Sequence, residues 1–195
     1  MKKLCIALVC MSIISCKQEK TAEPTTNNTP IETAQPAEDP ISNTSETTTT
    51  EADPIAEIRQ KVEHINTATL TKKHFEFMCD EKMKVDYFYE GKEIVKISVD
   101  FGTVGDTYAR EDYYYNAGRI IFNYEFVEGG PACEGCITTN EYRSYIVDNK
   151  TIQYLKNKTQ QPCRKCEFKN ADRQYKLLKT TTEKEVKSVL CKGIE

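Results

Sequence analysis

Cys133-Glu134-Gly135-Cys136 and Cys163-Arg164-Lys165-Cys166 hold the densest set of reactive side chains in this 195-residue chain. With Cys79 and Cys191 they make six cysteines beyond the N-terminal quarter, and their spacing suits three chemistries. An even number of cysteines in an exported chain points to disulfides. The pattern C-x2-C-x26-C-x2-C also suits a tetrahedral zinc site with Cys133, Cys136, Cys163 and Cys166 as thiolate ligands. Third, one C-x-x-C is a redox dithiol. Dithiols of that kind sit where a strand enters a helix, whose dipole lowers a thiol pKa. Cys136 is followed instead by Ile137-Thr138-Thr139, which reads as strand. Arg164 and Lys165 make Cys163 the best thiolate of the set. Export, argued below, places disulfides first, zinc second and redox chemistry third, because thiolates outside the cytoplasm oxidise before they collect a metal.

Other catalytic signals are poor. Asp100-Phe101-Gly102 spells a kinase metal-binding triplet with no glycine-rich or catalytic loop to accompany it. Gly102-Thr103-Val104-Gly105-Asp106 reads as a loop between strands. His64 and His74, the only histidines, belong to no nucleophile constellation. His64 flanks a helical stripe and reads as a polar surface residue. The chain is therefore expected to bind rather than catalyse, with no resident cofactor unless the four cysteines hold zinc.

The elements that must position the cysteines follow from periodicity. Thr138 to Val147 and Thr151 to Lys156 form a hairpin around Asp148-Asn149-Lys150. A two-residue turn at Asn149-Lys150 sets Cys136 opposite Cys163 and Cys133 opposite Cys166, so both C-x-x-C pairs should meet at the hairpin base. At least one of Cys133 and Cys136 is then within bonding reach of Cys163 or Cys166, with the disulfides running either across the hairpin base or within each C-x-x-C. Cys79 and Cys191 are left to pair with each other.

Two more hairpins precede this one. Phe75, Phe77 and Cys79 alternate, as do Val85, Tyr87 and Tyr89, then Val95, Ile97, Val99 and Phe101 around Glu90-Gly91-Lys92. Tyr113-Tyr114-Tyr115 leads through Asn116-Ala117-Gly118 into Ile120, Phe122, Tyr124 and Phe126. Tyrosines alternating on strands predict a half-exposed sheet face. At the N-terminal side, Asp53-Pro54 caps a helix over 53–67, with Ile55, Ile58, Val62 and Ile65 on one face. Helical period returns beyond Cys166, giving a C-terminal helix with a break near Thr180-Thr181-Thr182. The expected fold is α+β: an antiparallel meander of about six or seven strands, its two terminal helices covering one face or an edge.

The N-terminus sets the location. Lys2 and Lys3 precede an apolar run from Leu4 to Ile14, too short to span a bilayer, which closes on Ile13-Ile14-Ser15-Cys16. This resembles the lipobox of bacterial lipoproteins, which implies removal of residues 1–15 and acylation of Cys16. Lys17, where aspartate would argue for the inner membrane, favours the outer membrane, on its periplasmic or surface face. Lys17-Gln18-Glu19-Lys20 is similar to the charged tags of surface lipoproteins in Bacteroidota. Residues 16–52 hold the anchor and a Thr/Pro/Glu-rich segment almost free of large apolar side chains, which reads as a disordered tether. As a flexible coil it reaches ~30–35 Å. Residues 53–195 form one domain. Around Tyr113 to Phe126 the chain resembles uncharacterised Bacteroidota lipoproteins with aromatic strands joined by Asn/Asp-Gly-Lys/Arg turns, a resemblance that implies no activity. The net charge of −3 gives no footprint for nucleic acid. The partners expected are the membrane, through the lipid, and an envelope protein or ligand.

Overall fold

The computed structural model describes residues 53–131 and 133–191. The leader, Cys16 and the tether lie outside the described residues. Helix α1 (Pro54–Thr67) starts as its residues dictate: Asp53 accepts a hydrogen bond from the Ile55 amide at 2.9 Å, and Pro54 fills the first turn, where no amide hydrogen is needed. Eight strands follow as a continuous antiparallel meander: β1 (Thr71–Met78), β2 (Lys82–Glu90), β3 (Glu93–Val104), β4 (Thr107–Asn116), β5 (Arg119–Gly129), β6 (Thr138–Val147), β7 (Lys150–Lys156) and β8 (Thr159–Gln160). Two short helices close the chain, α2 (Arg173–Leu177) and α3 (Glu183–Leu190). The α3 start is a capping box, with Thr182 and Glu185 each bonding the other's backbone amide.

The α+β meander matches the sequence expectation, but four details differ. There are eight strands, because Asn157 and Lys158 turn the chain back into β8 after β7. Gly102 to Val104 continue β3, and only Gly105 and Asp106 make the turn to β4. The β6–β7 turn sits one residue earlier than expected, at Asp148 and Asn149 (φ 47° and 65°). Both residue types tolerate the left-handed region that a tight hairpin turn demands. Last, the helices lie on opposite faces of the sheet rather than on one face or an edge. Ile58 and Ile65 of α1 pack with Val95, Tyr114, Phe122 and Tyr145. Tyr175, Leu177 and Val186 of α2 and α3 pack with Tyr87, Ile97, Tyr113, Tyr115 and their neighbours.

Double coverage changes the meaning of the tyrosines. Tyr113 and Tyr115 face α2 and α3 while Tyr114 faces α1, and all three are buried, so the run is core on both faces rather than half-exposed. Their hydroxyls explain why these positions are not phenylalanine. Tyr115 donates to the Gln174 carbonyl at 2.9 Å, Tyr87 pairs with Thr180 Oγ1 at 2.7 Å, and the Ile120 amide donates to Tyr175 Oη at 3.2 Å. A helix as short as α2 has no intrinsic stability in water. These buried bonds, with Leu177 fully enclosed beneath it, fix it to the sheet. Burial pushes the Tyr87 phenol up to about 12 and the Tyr115 phenol well above its ordinary value, so both remain neutral donors.

Candidate ligand-binding groove

The cysteines come first, because the sequence points at them. Three pairs lie at disulfide distance: Cys79 with Cys191 (Cα–Cα 5.6 Å), Cys133 with Cys136 (5.3 Å) and Cys163 with Cys166 (5.3 Å). The Cys79–Cys191 pairing is the one expected, and it ties the β1–β2 turn to the end of α3. The meeting of the two C-x-x-C pairs is not found, while the bonds take the within-motif arrangement, one of the two the sequence allowed. After β7 the chain reverses, and residues 159–167 run back beside β7, where the Gln161 amide donates to the Tyr154 carbonyl and the Thr151 amide to the Cys166 carbonyl. Cys133–Cys136 sits instead before β6, where Gly130 approaches Cys136 too closely to carry a side chain. Tyr154 lies opposite Ser144, and the stretch from Thr138 to Ser144 alone spans roughly 20 Å at about 3.3 Å per residue. The alternative four-thiolate zinc set of Cys133, Cys136, Cys163 and Cys166 is therefore not assembled, and no group of three or more His, Cys, Asp or Glu side chains placed to hold a metal ion occurs among the described residues.

Beside α1, the sheet leaves a groove of about 590 Å³ that no sequence motif announced. Its floor comes from alternate residues of β3 to β6, which point to the α1 face. Ser98, Asp112, Tyr124 and Arg143 are successive cross-strand neighbours in one row; Lys96, Tyr114, Phe122 and Tyr145 form the next. The α1 wall contributes Arg59, Val62, Glu63 and Asn66. Four cations, Arg59, Lys96, Arg110 and Arg143, thus face only two carboxylates, Glu63 and Asp112.

Asp112 organises the floor. It is 5% exposed and accepts a hydrogen bond from Ser98 Oγ at 2.5 Å. Lys96 Nζ and an Arg110 terminal nitrogen stand 3.7 and 3.6 Å from its other oxygen, close enough for attraction and too far for a good hydrogen bond. Lys96 is also held by Asn66 Oδ1 at 3.1 Å and lies 4.8 Å from the Tyr114 ring centre. The Arg110 and Arg143 guanidiniums both approach the Tyr124 ring, at 5.9 and 5.8 Å from its centre. Arg59 donates through Nε to the Tyr145 hydroxyl at 3.3 Å. One cation is already committed: Arg143 pairs with Glu141 at 2.5 Å.

The opposite face carries a second polar cluster, whose charged groups pair with one another, although Asn123 Oδ1 and Gln174 Oε1 are buried there without a hydrogen-bond partner among the described residues. Glu111 accepts from the Tyr113 hydroxyl at 2.5 Å and from the Arg173 guanidinium. Its cross-strand neighbour Glu125 accepts from Asn123 Nδ2 at 3.0 Å and lies 3.7 Å from Arg164. Burial first, then the nearby Glu111 charge, raises the Glu125 carboxyl above its ordinary range. Arg164, which the sequence offered only as a neighbour activating Cys163, is held by the Cys163–Cys166 loop over the Tyr142 ring at 4.6 Å. The histidines are surface hydrogen-bond partners of carboxylates, His64 of Glu90 and His74 of Asp86, both at 2.6 Å.

Sequence reading missed every charged residue of the groove. Arg110 and Asp112 do show a signal, two opposite charges at strand spacing on one face. Nothing in the chain indicates that Lys96, Arg143 and Arg59 converge on them. No known family model, curated protein or solved structure matches the chain.

Proposed function

We propose that this protein is a lipid-anchored lipoprotein of the bacterial cell envelope, whose disulfide-clamped domain binds a ligand or partner in the groove beside α1. Acylation of Cys16 supplies the anchor, and residues 17–52 act as the spacer that holds the domain within some tens of ångströms of the bilayer. Outer-membrane placement is favoured by Lys17. The leader closing on Ile13-Ile14-Ser15-Cys16 supports the anchoring half of this reading. The single observation that carries the binding half is the groove of about 590 Å³, where cations outnumber carboxylates on an otherwise acidic chain. A volume of that size is typical of small-ligand sites.

Labelling cells with radioactive palmitate tests the anchor. The wild-type chain should incorporate label and fractionate with membranes, and Cys16→Ala should do neither. Label retained by Cys16→Ala would overturn the lipoprotein reading.

A further inference from the structure

Resting on that reading of the groove, we infer that its ligand is a small organic anion, a carboxylate or phosphate carried on a ring or apolar body. The charge imbalance has a specific location. Arg110 on β4 makes no hydrogen bond within 3.5 Å among the described residues, and its Nε is buried without a partner. Arg59 on α1 spends Nε on the Tyr145 hydroxyl and makes no other hydrogen bond among the described residues. One guanidinium on the helix wall and one on the sheet floor therefore present unspent planar donors, the geometry that matches carboxylate and phosphate oxygens.

Asp112 does not quench them. Its side chain is 7% exposed, it is engaged by Ser98, and it shares its remaining oxygen between Lys96 and Arg110. It holds the cations in place as a positioning residue. The non-ionic part of the ligand is set by Tyr124 and Val62, which line the same groove and offer an aromatic edge or face and an aliphatic surface. A long polyanion is disfavoured. The four groove cations form one compact patch, with no basic track leading from it among the described residues, on a chain whose net charge is −3.

Calorimetric titration of the full chain in detergent micelles tests the assignment, with benzoate, phenyl phosphate and neutral benzamide as probes. Benzoate or phenyl phosphate should bind at least tenfold more tightly than benzamide, and affinity should fall as salt rises. Whichever of the two anions binds more tightly identifies the carboxylate or the phosphate source. Arg110→Gln should weaken binding at least tenfold without lowering the melting temperature, Arg59→Gln should weaken it as much with the modest loss of stability expected from removing its Tyr145 hydrogen bond, and Arg119→Gln, outside the groove, should leave affinity unchanged. Equal binding of benzoate and benzamide, lost in Val62→Trp, would overturn the anion assignment yet keep the groove as a binding surface. Binding of neither anion, or binding indifferent to both arginine changes, would also overturn it. None of these outcomes touches the palmitate test, so failure of the ligand class is separable from failure of the anchor.

Discussion

The two faces of the sheet use the same strand for opposite ends. Along β4, Arg110, Asp112 and Tyr114 point to α1, and Glu111, Tyr113 and Tyr115 point to α2 and α3. Glu111 and Asp112 are adjacent in sequence, yet their surroundings differ in kind. Glu111 is satisfied by a tyrosine hydroxyl and a guanidinium in direct contact. Asp112 has one hydrogen bond and two cations just beyond bonding reach. The α2–α3 face is also closed covalently, through Cys79–Cys191, and Cys163–Cys166 shapes the loop that delivers Arg164 to it. Among the described residues, α1 is held to the sheet by side-chain packing and hydrogen bonds alone. Polar groups that complete each other's hydrogen bonds serve the fold. Polar groups left partly unanswered beside a groove are available to a ligand.

Breaking the covalent difference should have the largest effect. Cys79→Ala with Cys191→Ala removes a link across a sequence separation of 112 residues. On the loop-entropy model the loss is about 4–5 kcal/mol, read by urea denaturation. Reductant should bring the wild-type protein down to the same stability and leave the variant unchanged apart from the C-x-x-C loops.

A pair of substitutions on β4 tests the electrostatic difference. Glu111→Gln breaks a charged contact in a mostly buried cluster and should cost about 1–2 kcal/mol of stability. Arg110→Gln, on the adjacent residue, should stay within about 0.5 kcal/mol, because its guanidinium makes no close bond. Equal costs would erase the distinction between the closed and open faces.

The smallest effect sharpens the picture of the closed face. Glu125 holds its proton more tightly in the folded chain than in the unfolded one, where the ordinary value is 4.5. Its favourable contribution is therefore present below about pH 4.5 and is lost as pH rises through the raised folded value. Glu125→Gln should relieve that loss. Its melting temperature relative to wild type should be higher at pH 7 than at pH 4, by an equivalent of less than about 1 kcal/mol.

Much of the fold was legible because local rules sufficed. The alternation in Val95, Ile97 and Val99, the turn residues at Gly91 and Asn116-Ala117-Gly118, and the Asp53-Pro54 cap each act over a few neighbours. The expected bounds of β6 match the observed Thr138–Val147, and the Cys79–Cys191 pairing followed once the C-x-x-C cysteines were set aside. The C-x-x-C meeting failed on two tight turns, one misplaced by a residue and one not recognised in the sequence. A turn one residue early, followed by reversal at Asn157 and Lys158, carried Cys163 and Cys166 along the edge of β7 instead of to the base of the hairpin.

Sequence by itself determined which residues alternate, where the chain turns and which side chains carry charge, since those properties belong to single residues and their near neighbours. Tertiary structure alone decided that α1 covers one face and α2 and α3 the other, that tyrosines on both faces become core, and that Arg59, Lys96, Arg110 and Arg143 share one groove. Period-two alternation assigns a side chain to one of two faces without saying what will pack there. That depends on where the connections return each helix, and so on the sheet as a whole.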